Sequence, residues 1–162
     1  YLFSIEEALH HIYIKHNVEF VLIGASSDIP KNIPFKQIEW TQQSEVEQME
    51  NFDVGIMPLS DDYFSIARDH YKLVKYMSAS IPFVSSPMRE SILNTQQGVN
   101  GFIAHNISEW ITYLSLLIED YQLRMAMGER GYNIAKEQNC TSEVQKKIAL
   151  IFNKLIINNV KK

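Results

Sequence analysis

The chain has 162 residues, 46% hydrophobic and 21% charged, with six glycines, five prolines and a formal net charge of −4. That length suits one domain with a core of its own, and the ordinary composition excludes a disordered or fibrous protein. The acidic balance, with a pI of about 5.7, argues against a nucleic-acid partner, which a basic surface would serve.

Cys140 is the only cysteine. That rules out an internal disulfide framework and fits a reducing, cytoplasmic setting. No apolar run reaches membrane-spanning length, no signal peptide is visible, and no transmembrane segment is expected. The sequence opens on Tyr1 rather than on a methionine, and the expectation is that it belongs to something longer.

Ser4-x-x-Glu7 has the form of a capping box and predicts a helix to about His16. The apolar run Val18 to Ile23 is a strand, stopped at Gly24. A loop with Pro30 and Pro34 leads to a second strand, Phe35 to Trp40, and Ser44-x-x-Glu47 predicts a short helix. Asp53 to Met57 is a third strand, ended by Pro58, and a polar loop with Asp61 and Asp62 follows. A helix is expected from about Arg68 to Ala79, a strand from Pro82 to Ser85 and a short helix from Arg89 to Thr95. Gly98-Val-Asn-Gly101 is a turn before the last strand, Gly101 to Ala104.

Helices complete the chain. Asn106-x-x-Glu109 caps one whose buried face is Trp110, Tyr113, Leu114, Leu117 and Ile118, at helical spacing. Tyr121 to Gln138 is a second. Thr141 caps a third, with Ile148, Ile151, Phe152, Leu155 and Ile156 on its apolar side. Part of that side, around Ile151 and Leu155, is expected to face a neighbouring element.

Short apolar strands alternating with helices predict an α/β domain over 1–162. Its expected form is a Rossmann-like parallel sheet sandwiched by helices, with a helical C-terminal segment. Ligands of such sheets bind beyond the carboxyl ends of the strands. That rule selects four loops: 24–28, 40–44, 58–68 and 85–89.

The expected helix after the third strand carries Arg68, Lys72 and Lys75 on one face. Like charges at this spacing cost about 0.2–0.5 kcal/mol per pair, and a bound dianion would reverse the sign. Arg68 can offer a planar fork to a phosphate and Lys72 a point charge, beside a helix N-terminus that favours anions. The competing reading is a solvated basic face partnered by Asp69. Other chemistries lack their motifs. The five histidines show no metal-ligand spacing, and neither a P-loop nor Gly-x-Gly-x-x-Gly occurs. Cys140 reads as structural.

Asp53-Val-Gly-Ile-Met-Pro-Leu, Arg68-x-x-x-Lys72-Leu-Val-Lys-Tyr-Met-Ser-Ala-Ser-Ile-Pro-Phe-Val-Ser-Ser-Pro and Gly98-Val-Asn-Gly-Phe-Ile-Ala occur in that order. With Trp110 and Leu123-Arg-Met-Ala-Met-Gly-Glu-Arg-Gly, they resemble the donor domain of retaining glycosyltransferases of the GT-B fold, the group that includes glycosyltransferase family 4. The likeness spans about residues 5 to 140.

The resemblance implies the C-terminal half of a two-domain, hexosyltransferase-like enzyme of glycan biosynthesis, cytoplasmic and bacterial. This half would hold a nucleotide-sugar donor. An acceptor domain of the same full-length chain would complete the catalytic site, so that this part alone would be inactive. No metal or other cofactor is implied, since cations and helix N-termini stabilise the leaving diphosphate. Peripheral membrane association of the full enzyme is compatible with such a role.

By motif position, Arg68 and Lys72 would take the diphosphate. Trp40, Ser26, Lys75 and Arg89 are further candidates for nucleotide or sugar contacts. Trp40 would stack on a base, worth about 1–3 kcal/mol, or serve as a core or interface residue. Ser26 would line the pocket or belong to a plain turn. Arg89 would reach a phosphate or stay on the surface. Two departures count against a full carry-over. Many relatives have two glutamates eight positions apart where Ala67 and Lys75 stand here, and Met88-Arg89-Glu90 replaces a glycine-rich turn. The alternatives are a degenerate GT-B-like binding or regulatory module and a sugar-nucleotide epimerase of similar fold.

Overall fold

A computed structural model of the chain describes residues 1–25, 28–59 and 63–139, with 63–70 and 139 described by their backbone alone. Ser26, Asp61, Asp62, Cys140 and the helix expected from Thr141 onward lie outside the described residues, as do the side chains of Arg68 and His70.

A single 3-10 turn, Leu2–Ile5, leads into α1, Glu6–Lys15. There follow β1 (Phe20–Ile23), β2 (Phe35–Ile38), α2 (Gln42–Met49), β3 (Gly55–Met57), α3 (Tyr63–Ser78), β4 (Phe83–Ser85), α4 (Arg89–Asn94), β5 (Gly101–Ile103), α5 (Ile107–Glu119) and α6 (Tyr121–Asn139). Every paired strand is parallel. The pairing forms two ladders, β1-β2 and β3-β4-β5, with no hydrogen-bonded register between β1 and β3.

Burial shows why the strands lack polar alternation. Along β4, Val84 enters one core cluster and its neighbour Phe83 the other. Successive side chains point to opposite faces, so both faces of this ladder are covered. Ala8, Leu9 and Ile12 of α1 join Trp110, Leu114 and Leu117 of α5 on the first face. Leu73 and Met77 of α3 join Ala135 of α6 on the second. The result is a helix–sheet–helix sandwich.

Helix starts test the capping patterns directly. Asn106 caps α5 as expected, its Oδ1 accepting from the Glu109 amide at 2.9 Å. Ser4 does not cap α1. Its hydroxyl donates to the Tyr1 carbonyl at 2.7 Å, and Ile5 is the N-cap instead. The box expected at Ser44 lies three residues earlier: Thr41 is the N-cap, and Thr41 and Ser44 exchange side-chain-to-backbone bonds of 2.9 Å in each direction. Helix α3 begins at Tyr63, ahead of the expected Arg68, because Phe64 to Ala67 contain no helix breaker. Arg68 therefore lies in the second turn of α3, and the anion-favouring amides of the first turn belong to earlier residues.

Arg124 locks the end of α5. Its guanidinium donates to the Leu117 and Ile118 carbonyls at 2.9 and 3.0 Å and pairs with Asp53 at 3.3 Å. These carbonyls belong to the last turn of α5, where a cation is favoured.

Candidate functional site

A cavity of about 360 Å³ opens at the carboxyl ends of β1 and β3. Ile23, Gly24, Ala25 and Asp28 line it from the first strand and its loop, Pro58 from the third strand, Glu45 from α2, and Lys72 and Lys75 from α3. A second cavity of about 400 Å³ shares Val21, Leu22, Phe52, Ile56 and Tyr76 with it, and opens at the amino ends beside Asn17, Glu19, Asp53 and Arg124. The two are opposite mouths of one gap between the ladders. The chain runs from β1 to β2 on one side of that gap and resumes at β3 on the other. A reversal of this kind is a topological switch point, and open α/β sheets bind ligands there, outside the carboxyl ends. The upper mouth is therefore the candidate site on geometry alone.

Gly24 makes that mouth possible. Its φ is +66°, and a Cβ there would stand 2.8 Å from the Trp40 Cβ. The Gly24 amide donates to the Ile38 carbonyl at 2.9 Å, which holds the turn against β2. Both the left-handed backbone and the close approach need glycine.

On the other wall, Lys72 is exposed, and Lys75 one turn further on is half-buried. The Lys75 ammonium pairs with the Glu45 carboxylate and stands 4.4 Å from the centre of the Tyr71 ring. Trp40 Nε1 donates to the same carboxylate at 3.4 Å. The hydrogen bond from Lys75 holds the Glu45 carboxyl below its ordinary pKa against the opposing effect of burial, with help from Trp40 and from the charge of Lys72. Burial opposes the charge on Lys75, but the bonds to Glu45 and Tyr71 outweigh it and hold the ammonium above its ordinary value. Both groups are thus firmly charged near neutrality. Beneath them, the Tyr76 phenol donates to the Ile56 carbonyl of β3 at 3.2 Å. Burial pushes its pKa up to about 12, so it remains a neutral donor to that strand.

The structure brings Lys72 and Lys75 together with the Gly24 loop, and sets two other candidates apart. Trp40 is 57% exposed and lies outside the cavity wall, behind Gly24 and bonded to Glu45. Arg89 is exposed at the start of α4 and lines neither cavity. The backbone of Arg68 lies one turn before Lys72 on α3. Glu45 and Tyr76 also line the cavity, and neither is among the residues singled out from the sequence. A glutamate on a polar helix and a tyrosine among the apolar positions of an amphipathic one carry no spacing signal. Among the described residues, no three His, Cys, Asp or Glu side chains gather as a metal site would require, and no helix is long and apolar enough to cross a membrane.

No protein-family model and no curated protein matches the chain. Solved structures do. HepE of Anabaena (Alr3699), in complex with UDP and glucose, superposes with a TM-score of 0.72 at 15% identity, over 93% of this chain and 44% of that one. The same protein in complex with UDP-glucose gives 0.71 at 14%, over 93% and 45%. TarM gives 0.66 at 18%, over 92% and 31%. The fold is thus that of one Rossmann-like half of a GT-B structure. The likeness is one of fold, and the chain spans less than half the length of each of these structures.

Proposed function

We propose that the upper mouth of the gap binds the diphosphate of a nucleotide-sugar, and that the chain is the donor-binding half of a retaining glycosyltransferase. The observation that carries this is the placing of Lys72 on the wall of a cleft at the switch point, beside the Lys75–Glu45 pair and opposite the glycine turn that ends β1. Complexes of the similar HepE fold with UDP and UDP-glucose support the same ligand class.

In such a reaction the bond between the sugar and the diphosphate breaks, and negative charge grows on the departing phosphate oxygen. Lys72 stabilises that charge directly. Arg68, one turn earlier, adds a second cation, and the first-turn amides of α3 add aligned dipoles. These groups do the electrostatic work that a metal ion does elsewhere. The acceptor and the remaining catalytic groups come from a second half of the full-length chain, in the cytoplasm.

Calorimetric titration with UDP-glucose tests the site. Lys72→Ala is expected to weaken binding by about 1–3 kcal/mol, roughly five- to 150-fold, the range for a lost charged hydrogen bond. Equal affinity in the variant would place the diphosphate elsewhere.

A further inference from the structure

Lys75 does not meet the cleft as a bare cation. Glu45 neutralises it, and the two side chains are 24% and 25% exposed, so their attraction is less screened than that of a surface pair. The carboxylate is not a loose one. It sits one turn into α2, whose start is tied by the Thr41–Ser44 exchange, and the Trp40 indole donates to the same Oε2 that pairs with Lys75. Glu45 and Lys72 line the same cavity. A ligand phosphate gripped by Lys72 therefore meets a fixed Glu45–Lys75 pair, in which the carboxylate cancels the attraction that a bare Lys75 would exert.

That charge acts unequally on two related ligands. The diphosphate of a nucleotide-sugar is esterified at both ends and carries two negative charges. The free nucleoside diphosphate has a terminal phosphate, whose second proton leaves near pH 6, and so carries close to a third at neutral pH. Coulomb repulsion from Glu45 falls hardest on the more charged species.

We propose that Glu45 is a specificity-determining residue that biases the cleft against the free nucleoside diphosphate and toward the nucleotide-sugar, easing release of the nucleotide after sugar transfer. This rests on the diphosphate reading of the cleft given above. Glu45 acts both by its own charge and by keeping Lys75 from the phosphates.

The test is the affinity ratio, measured by calorimetry with UDP and UDP-glucose at one salt concentration. Glu45→Gln keeps the side-chain shape and removes the charge. It is expected to tighten UDP more than UDP-glucose and to shift the ratio toward UDP by about three- to tenfold, an effect that shrinks as salt is raised. Glu45→Asp, which keeps the charge, should leave the ratio near that of the parent chain. Lys75→Met approaches from the other side. It leaves Glu45 unneutralised, and Glu45→Gln/Lys75→Met, which removes both charges together, should shift the ratio back toward UDP relative to Lys75→Met, which decides the matter even if Glu45→Gln alone does not fold. Equal changes for the two ligands overturn the role of Glu45 while the donor site stands. A parent chain that binds neither ligand overturns the donor site and this inference together.

Discussion

Gly128→Ala is expected to destabilise the chain by about 3 kcal/mol, at the upper end of the usual range for overpacking. A Cβ at Gly128 would lie 2.0 Å from the Ser80 carbonyl oxygen and 2.9 Å from its carbon. Those are backbone atoms, and they have little room to move. Ser80 sits at φ +58°, its amide donates to the Met77 carbonyl at 3.0 Å, and the Ile81 amide donates to the Tyr76 carbonyl at 2.9 Å. The two bonds close α3 with a left-handed cap that has little tolerance for displacement. The next residues run directly into β4. Relief must come from α6, which would tilt away from α3 and open the cluster of Leu73, Met77 and Ala135. For a chain of this size each kcal/mol moves the melting midpoint by roughly 2–4 °C, so a fall of about 10 °C is expected. Gly131→Ala is the internal control. Its Cβ would meet the Met77 side chain at 3.4 Å, an ordinary contact, and its helix propensity improves. Equal melting of both variants and the parent would mean that α6 does not dock on the end of α3.

A comparable loss, about 3 kcal/mol or more, is expected from Asn100→Asp. Asn100 is fully buried. Its Oδ1 accepts from the Gln96 amide at 2.8 Å, while Nδ2 donates to the Asn94 carbonyl at 2.9 Å and to the Met77 sulfur at 3.3 Å. An aspartate fits the space, but it sets a carboxylate oxygen against a carbonyl oxygen and a thioether. It must stay charged without a counterion or take up a proton. Asn100→Ala removes the same bonds without adding charge and should cost less, about 1–3 kcal/mol. Urea titration read by circular dichroism gives both values. An aspartate variant as stable as the parent would mean that the amide nitrogen makes no contact that matters. The consequence reaches the site, because Met77 belongs to the helix that carries Lys72 and Lys75.

The parts of this fold that can be read from sequence are those set by near neighbours. Helix α5 announces itself, because Asn106 and Glu109 cap it locally and its buried residues recur at helical spacing. The strands are legible from their ends, where Gly24 and Pro58 interrupt apolar runs. The basic face of α3 is legible too, since i, i+4 geometry needs only the helix. Local patterns also compete. Thr41 and Ser44 each satisfy a cap rule, and the reciprocal bonds between them decide for Thr41. The Ser4 hydroxyl is taken by Tyr1. Contacts made across the fold leave no such trace. The pairing of Glu45 with Lys75 joins α2 to α3, and nothing in either helix names the other. The break between β1 and β3 depends on which strand edges meet, which side-chain character does not encode. The Leu123 to Gly131 segment lies between these cases. Its helix is legible, its arginine and glycines only as a likeness, and the structure gives them a physical reason: Arg124 closes α5, and Gly128 lets α6 approach α3.

A donor site at the carboxyl ends of β1 and β3 is tested most directly by following backbone amide chemical shifts as UDP-glucose is added to the chain. The expected result is a saturable set of changes centred on Gly24, Ala25, Asp28 and Lys72. Changes confined to Asn17, Asn51 and Asp53 at the opposite mouth, or none at about millimolar ligand, would contradict it.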